Sequence, residues 1–131
     1  MNIGQAARAT GVSAKMIRYY ESVGLIRPAD RTLSNYRDFS DRDINELRFI
    51  RRSRALGFSV GEIARLLELW RDRARSSREV KAIAQQHVLD LDQRIAEMQA
   101  MADTLRHLAQ ACAGDERPEC PILGDLEAPS R

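Results

Sequence analysis

Cys112 and Cys120 are the residues whose type and spacing most clearly carry chemistry, two thiols within nine residues of each other in a chain of 131. Soft sulfur ligands select soft metals. Two thiolates alone satisfy a monovalent d10 ion, Cu(I), Ag(I) or Au(I), in linear coordination, whereas Zn(II) ordinarily takes four donors. Few other donors lie nearby in sequence. His107 stands five residues before Cys112, about 140° away round a helix, and Asp115, Glu116 and Glu119 could assist a divalent ion. The same pair also reads as two inert thiols or as a reversible disulfide switch. A structural disulfide is disfavoured in a chain with no secretory features.

The segment around the thiols explains how they could meet. Cys112 closes a heptad series at a helix end, Gly114 and Pro118 turn the chain, and Pro121 suits the first turn of a short helix predicted from Pro121 to Leu126. Cys120 then sits at that helix's N-terminus, where unpaired N–H groups favour a thiolate.

Upstream, the spacing predicts one long helix from Ser76 to Ala111, opened by a Ser76/Glu79 capping box and free of Pro and Gly. Ala84, Leu91, Met98 and Leu105 recur every seven residues with Val88, Ile95, Ala102 and Ala109 beside them, so one face stays apolar for about five heptads. Such a helix is about 54 Å long and a single copy has nothing to cover its seam, which implies a homodimer. The companion series Val80, His87, Arg94, Met101, Leu108 is impure, which suits an antiparallel seam. Two regions then remain: residues 1–75, and residues 112–131 with a frayed tail from Glu127 to Arg131.

Charge separates the regions. Residues 1–75 carry 15 Lys/Arg against 9 Asp/Glu, a net +6, and residues 76–131 carry 6 against 10, a net −4. A basic head on an acidic tail points to a polyanionic partner. With 31% charged and 44% hydrophobic residues, no apolar run near the ~20 residues of a membrane span and no signal peptide, the expected compartment is the cytoplasm.

In the head, Gly4–Thr10 and Ala14–Val23 read as two short helices joined at Gly11, with Ser13 as cap, Gly24 as stop and Ile3, Ala6, Ala7 and Ile17 inward. That is a helix-turn-helix, and Lys15, Arg18 and Tyr19 or Tyr20 lie where a recognition helix meets DNA. Leu25–Pro28 and Tyr36–Phe39 flank a polar turn, Ala29 to Asn35, as a hairpin wing on which Arg31, Tyr36 and Arg37 could reach phosphates. A third helix, Asp41 to about Leu56, is capped by Ser40/Asp43 and buries Ile44, Leu47 and Ile50, leaving Arg48, Arg51, Arg52 and Arg54 outside. A fourth begins with Ser59/Glu62 and presents Ile63, Leu66, Leu67 and Trp70 as its buried stripe.

These residues resemble the MerR family of transcription regulators, most closely its copper-responsive, CueR- or HmrR-type branch. The resemblance runs from Ile3-Gly4-Gln5-Ala6-Ala7 through Ile17-Arg18-Tyr19-Tyr20-Glu21, Gly24-Leu25-Ile26, Asn35-Tyr36-Arg37 and Leu56-Gly57-Phe58-Ser59 to Cys112-Ala113-Gly114-Asp115 and Glu119-Cys120-Pro121-Ile122. It implies a mainly α fold: a winged helix-turn-helix head (1–75), a dimerisation helix forming an antiparallel coiled coil (76–111), and a metal-binding loop with a short helix (112–131). It also implies DNA contacts by Lys15, Arg18, Tyr20, Arg31, Tyr36, Arg37 and Arg54, and Cu(I) ligation by Cys112 and Cys120, with Ag(I) or Au(I) as surrogates. Ser77 stands where divalent sensors of the family carry a third cysteine. The implied partners are promoter DNA, a second subunit and RNA polymerase, and the implied action is activation of a copper-resistance promoter by distorting it.

Other readings compete. A thiol/disulfide or divalent-metal regulator of the same fold uses the same residues, and a DNA-architectural protein needs no switch. The iron–sulfur branch needs four clustered cysteines, and a multidrug relative needs a further ligand domain. Enzyme chemistry is the poorest fit, because His87 and His107 lack a neighbouring nucleophile or acid.

Overall fold

The computed structural model describes residues 1–129; Ser130 and Arg131, the end of the expected frayed tail, lie outside the described residues. Six helices and a two-stranded hairpin follow in the order α1 Ile3–Thr10, α2 Ala14–Ser22, β1 Asp30–Arg31, β2 Arg37–Asp38, α3 Asp41–Ala55, α4 Val60–Arg71, α5 Ser77–Ala111 and α6 Pro121–Glu127. The chain divides into two compact units, Met1–Val80 and Lys81 onward, with the division inside α5. No described helix is long and apolar enough to cross a membrane.

In the first unit, local hydrogen bonds set every helix boundary. Asn2 and Gln5 form a capping box that starts α1, a signal missed in the sequence, and Gly11 ends it at φ 74°, in the left-handed region that side chains resist. Ser13, Ser40 and Ser59 cap α2, α3 and α4, the last two with the predicted acidic partners Asp43 and Glu62. Thr10 sits buried in the helix-turn-helix bend, its hydroxyl donating to the Ala6 carbonyl at 2.8 Å and accepting from the Val12 amide at 3.1 Å. A buried polar group so satisfied holds the bend without an unpaired donor.

The apolar stripes of the four helices meet in one core built around Ile17, Ile26, Leu47, Ile50, Ile63 and Leu67, all under 2% exposed. Each contributes roughly 1.5–3 kcal/mol of burial. Trp70 departs from expectation. It stacks on Phe49 of α3 at 4.6 Å but stays 40% exposed, while Leu69 is buried and Leu66 only half so. The acidic side chains Asp43 and Glu46 of α3 are buried as well, the first by its cap and the second by Arg71 at 2.8 Å.

The wing also forms with a shift. β1 pairs Asp30 with Asp38 and Arg31 with Arg37, so the first strand lies within the segment that reads as the turn. Leu25 and Ile26 are withdrawn from the ladder because their amides close on the Tyr20 carbonyl and their side chains enter the core. The tight turn falls at Asn35, φ 67°.

In the second unit α5 continues without a break to Ala111. With 35 residues it is about 52 Å long. Its start needs one correction: Glu79, expected to cap Ser76, instead places its carboxylate on Arg65, Nε to Oε1 being 2.7 Å. Val88, Leu89, Ile95, Met98, Met101 and Leu105 are each more than half exposed, whereas His87 is buried.

Candidate functional site

Two sets of chemically capable residues emerge, one on the head and one at the far end of α5. On α2 the Ser13 cap fixes the helix start, and the 3.6-residue turn then sends Ile17 inward and Lys15, Arg18 and Tyr19 outward, all three exposed. This is the basic, open face that a recognition helix offers to a groove. Tyr20 does not share it. At 4% exposure it belongs to the core, four positions along a buried stripe that contains Met16 and Ile17, so the exposed aromatic is Tyr19.

On the wing, Arg31 and Tyr36 are exposed, the Arg31 guanidinium donating to the Asn35 carbonyl at 3.1 Å and so bracing the turn. Arg37 is held differently. Its Nε donates to Glu21 of α2 at 2.9 Å, and Glu21 is 9% exposed, so this pair ties the wing to the helix-turn-helix. Glu21 is a positioning residue that sequence reasoning did not single out as such; its place four residues after Ile17, on the inward face, was the available signal. Arg54 is exposed near the start of α4, close to the Phe58 carbonyl at 3.5 Å. Arg48 and Arg51, expected only to lie outside, donate to the last carbonyls of α1, Ala9 and Thr10, at 3.4 and 3.3 Å.

At the end of α5 the Cys112 amide is shared between the Leu108 and Ala109 carbonyls, both at 3.2 Å, which terminates the helix. Gly114 turns the chain at φ 68°, and the Asp115 side chain accepts from the Arg117 amide at 2.9 Å and from its guanidinium at 2.8 Å. The loop returns to Cys120, the N-cap of α6, with Pro121 in the first turn. The two sulfurs, eight residues apart in sequence, lie 3.8 Å from one another as free thiols, far beyond a bonded ~2.05 Å.

Cys120 closes no capping hydrogen bond as a thiol, yet the unpaired amides of Leu123, first, and Ile122 lie toward its sulfur. With a smaller contribution from Cys112, they hold its pKa below the ordinary thiol value against the opposing effect of burial.

The donor chemistry fits a soft metal ion. A separation of 3.8 Å is about the edge of a tetrahedron with ~2.3 Å metal–sulfur bonds, and opening it by under ~1 Å reaches the span of a linear two-coordinate ion. Among the described residues no third His, Cys, Asp or Glu joins the pair in one chain. Ser77 is exposed and is the first residue of α5.

Comparison with known proteins gives these features a context. The sequence matches the family description "MerR HTH family regulatory protein" over residues 1–70 and "MerR, DNA binding" over residues 44–108. The HTH-type transcriptional regulator HmrR of Sinorhizobium medicae is 57% identical over 126 residues, covering 96% of this chain and 86% of the relative. The HTH-type transcriptional regulator CueR of Salmonella typhimurium is 38% identical over 126 residues, covering 96% and 91%. Among solved structures, the transcription regulator PbrR691 from Ralstonia metallidurans CH34 in complex with lead(II) is similar at a TM-score of 0.83 and 30% identity, covering 96% of this chain and 98% of that one. With a helix-turn-helix head, a hairpin wing and a long α5 that these relatives match over nearly their whole length, the chain belongs to the MerR family of DNA-binding transcription regulators, which are not enzymes.

Proposed function

We propose that the protein is a metal-responsive transcription regulator that senses Cu(I), with Ag(I) or Au(I) as surrogates, through Cys112 and Cys120. It acts as a cytoplasmic homodimer on promoter DNA. In this reading residues 1–75 are the DNA-binding head, 76–111 the dimerisation helix and 112–131 the sensing segment. The observation that carries it is the pair of sulfurs at 3.8 Å, gathered by a loop whose ends are a helix C-terminus and a helix N-terminus. Two thiolates supply a complete shell for a monovalent soft ion and half a shell for Zn(II). A relative named heavy metal-dependent transcription regulator 1, of Rhizobium meliloti and 58% identical, supports metal response, and the copper form rests on the resemblance to the CueR- and HmrR-type branch.

On the DNA side, Lys15, Arg18, Tyr19, Arg31, Tyr36 and Arg54 supply cations and an aromatic edge on exposed surface, and Arg37 orients the wing through Glu21. A two-fold dimer sets two such heads at a fixed spacing on a pseudo-palindromic site. Cys112 and Cys120, at the two ends of the 112–120 loop, would hold the ion and be drawn together by it. Activation at a promoter shared with RNA polymerase then follows from a shift between two dimer conformations of different DNA shape. A ligand moves that balance only by its difference in affinity for the two.

A divalent reading has a specific observation behind it, since the sulfur separation matches a tetrahedral edge and PbrR691 is solved with lead(II). Ser77, a hydroxyl where the resemblance puts a third thiol in divalent sensors, weighs against it. Anaerobic titration of the reduced protein with Cu(I), and separately with Zn(II), against a competing chelator decides between them. One tightly held Cu(I) per chain, weak Zn(II), and loss of Cu(I) binding in Cys112→Ser is the expected result. Tight Zn(II) binding would establish the divalent reading, and no binding of either would leave the thiol/disulfide switch.

A further inference from the structure

The head carries a cavity that neither the DNA-facing residues nor the thiols account for. Arg42 of α3, Arg71 at the end of α4, and Arg73 and Arg75 in the following loop line it with Glu46 and Trp70, all within the first unit. Its volume of about 740 Å³ is that of a small-molecule site, which ordinarily runs from about 300 to 1,000 Å³. Most of its cations are held in place. Glu46, with its side chain 4% exposed, pairs with Arg71 at 2.8 Å and with Arg42 at 3.6 Å. Arg75 donates to the Trp70 and Asp72 carbonyls at 3.2 and 2.9 Å. The Asp72 carboxylate is no part of the lining and accepts instead from the Ala74 amide at 2.9 Å. Four guanidiniums against one carboxylate leave a net +3, and that carboxylate already has its cations, so the cavity suits an anion and not a metal ion.

One wall of the cavity is aromatic. Trp70 stacks on Phe49 with ring centroids 4.6 Å apart and planes 11° from parallel, yet it stays 40% exposed. Phe49 borders a second cavity of about 420 Å³ and not this one, so the indole surface among the arginines is what the stack leaves uncovered. An aromatic face with a cationic rim recognises a flat π-system joined to negative charge. Duplex DNA offers only the charge, because its bases are stacked on one another and its phosphates lie along a convex backbone. An unstacked base that carries its own phosphates offers both, the base on the ring and the phosphates in the guanidinium forks. Asn45, exposed on the same lining, adds an amide able to pair with the edge of such a base.

We propose that this cavity binds a purine nucleoside triphosphate, its base laid on Trp70 and its phosphates held by the arginines. A purine has two fused rings and so matches the indole in area. Arg73 is exposed and makes no ion pair among the described residues, so it can close on a phosphate without giving up a partner. The site uses neither Cys112 nor Cys120 and stands whether or not the metal reading holds.

Calorimetric titration of the full-length reduced protein with ATP, and separately with GTP, tripolyphosphate and adenosine, tests it. The emission of Trp70, the chain's one tryptophan, is followed in parallel. One nucleotide per chain with quenched emission is the expected result, tripolyphosphate and adenosine each binding at least about tenfold more weakly. Arg73→Ala is expected to weaken ATP about tenfold. Trp70→Leu is expected to lower ATP to the affinity of tripolyphosphate and to leave tripolyphosphate itself unchanged, a pattern that a damaged fold would not give. Circular dichroism of each variant reports that the head has folded. No saturable binding of either nucleotide would overturn the site. Tripolyphosphate bound as tightly as ATP, with no quenching, would overturn it too and leave a general anion patch. Arg73→Ala that spares ATP but weakens binding to a random-sequence DNA duplex would overturn it as well, and assign the arginines to DNA phosphate.

Discussion

Cys120 differs from an ordinary thiol because of where a helix begins. The orphan amides of Leu123 and Ile122 favour its charged form, and the folded loop therefore prefers the thiolate more than the unfolded chain does. A group whose pKa is lowered on folding contributes stability that is present above its unfolded value and is lost as pH falls through its folded value. The loop around Cys120 is accordingly held less firmly as pH drops below the ordinary thiol range. In Cys112→Ser, where one thiol remains, the rate of alkylation by iodoacetamide is expected to titrate with a midpoint below the free-cysteine value of about 8.5, and to return to it in denaturant. Coincident midpoints in the folded and unfolded protein would show that α6 does nothing for the sulfur.

The bend of the helix-turn-helix contains a backbone position that resists a side chain. Gly11 adopts φ 74°, and a Cβ added there would run into the Arg51 guanidinium that donates to the Thr10 carbonyl. Gly11→Ala therefore combines left-handed strain of about 1–2 kcal/mol with loss of that contact, for an expected destabilisation of roughly 2–3 kcal/mol in urea unfolding of the head. An unchanged midpoint would mean that the bend tolerates a side chain. The capping boxes at Ser40 and Ser59 were legible in sequence because they are local, involving residues three apart. The wing was less so, since whether Leu25 and Ile26 enter a strand or the core depends on what α2 leaves for them to pack against.

At the scale of the whole molecule, α5 has an apolar stripe that its own chain leaves open. Six of its large apolar residues from Val88 to Leu105 are each more than half exposed, with Ile95 and Met98 at the middle of that stretch. Ile95→Glu puts a charge from each copy into that apolar stripe in the proposed dimer. It is expected to give a monomer by sedimentation with a folded head and promoter affinity lower by about 100-fold, because the two half-sites are no longer engaged together. A dimer that survives the substitution would place the interface elsewhere.

What the sequence determined by itself is what short-range chemistry encodes: the helices and their stops, the heptad face of α5, the basic face of α2, and two thiols at the ends of one loop. What only tertiary structure decided is which side chains remain available once a core exists. Tyr20 and Tyr19 are indistinguishable as neighbouring aromatics in a sequence, yet one turn of α2 buries the first and exposes the second. Trp70 reads as core by type and spacing, yet Phe49 covers only one face of it. Arg37 and Glu21, sixteen residues apart, become a pair only when the wing folds back on α2. Burial and long-range pairing are properties of where elements meet, and no local pattern specifies that meeting.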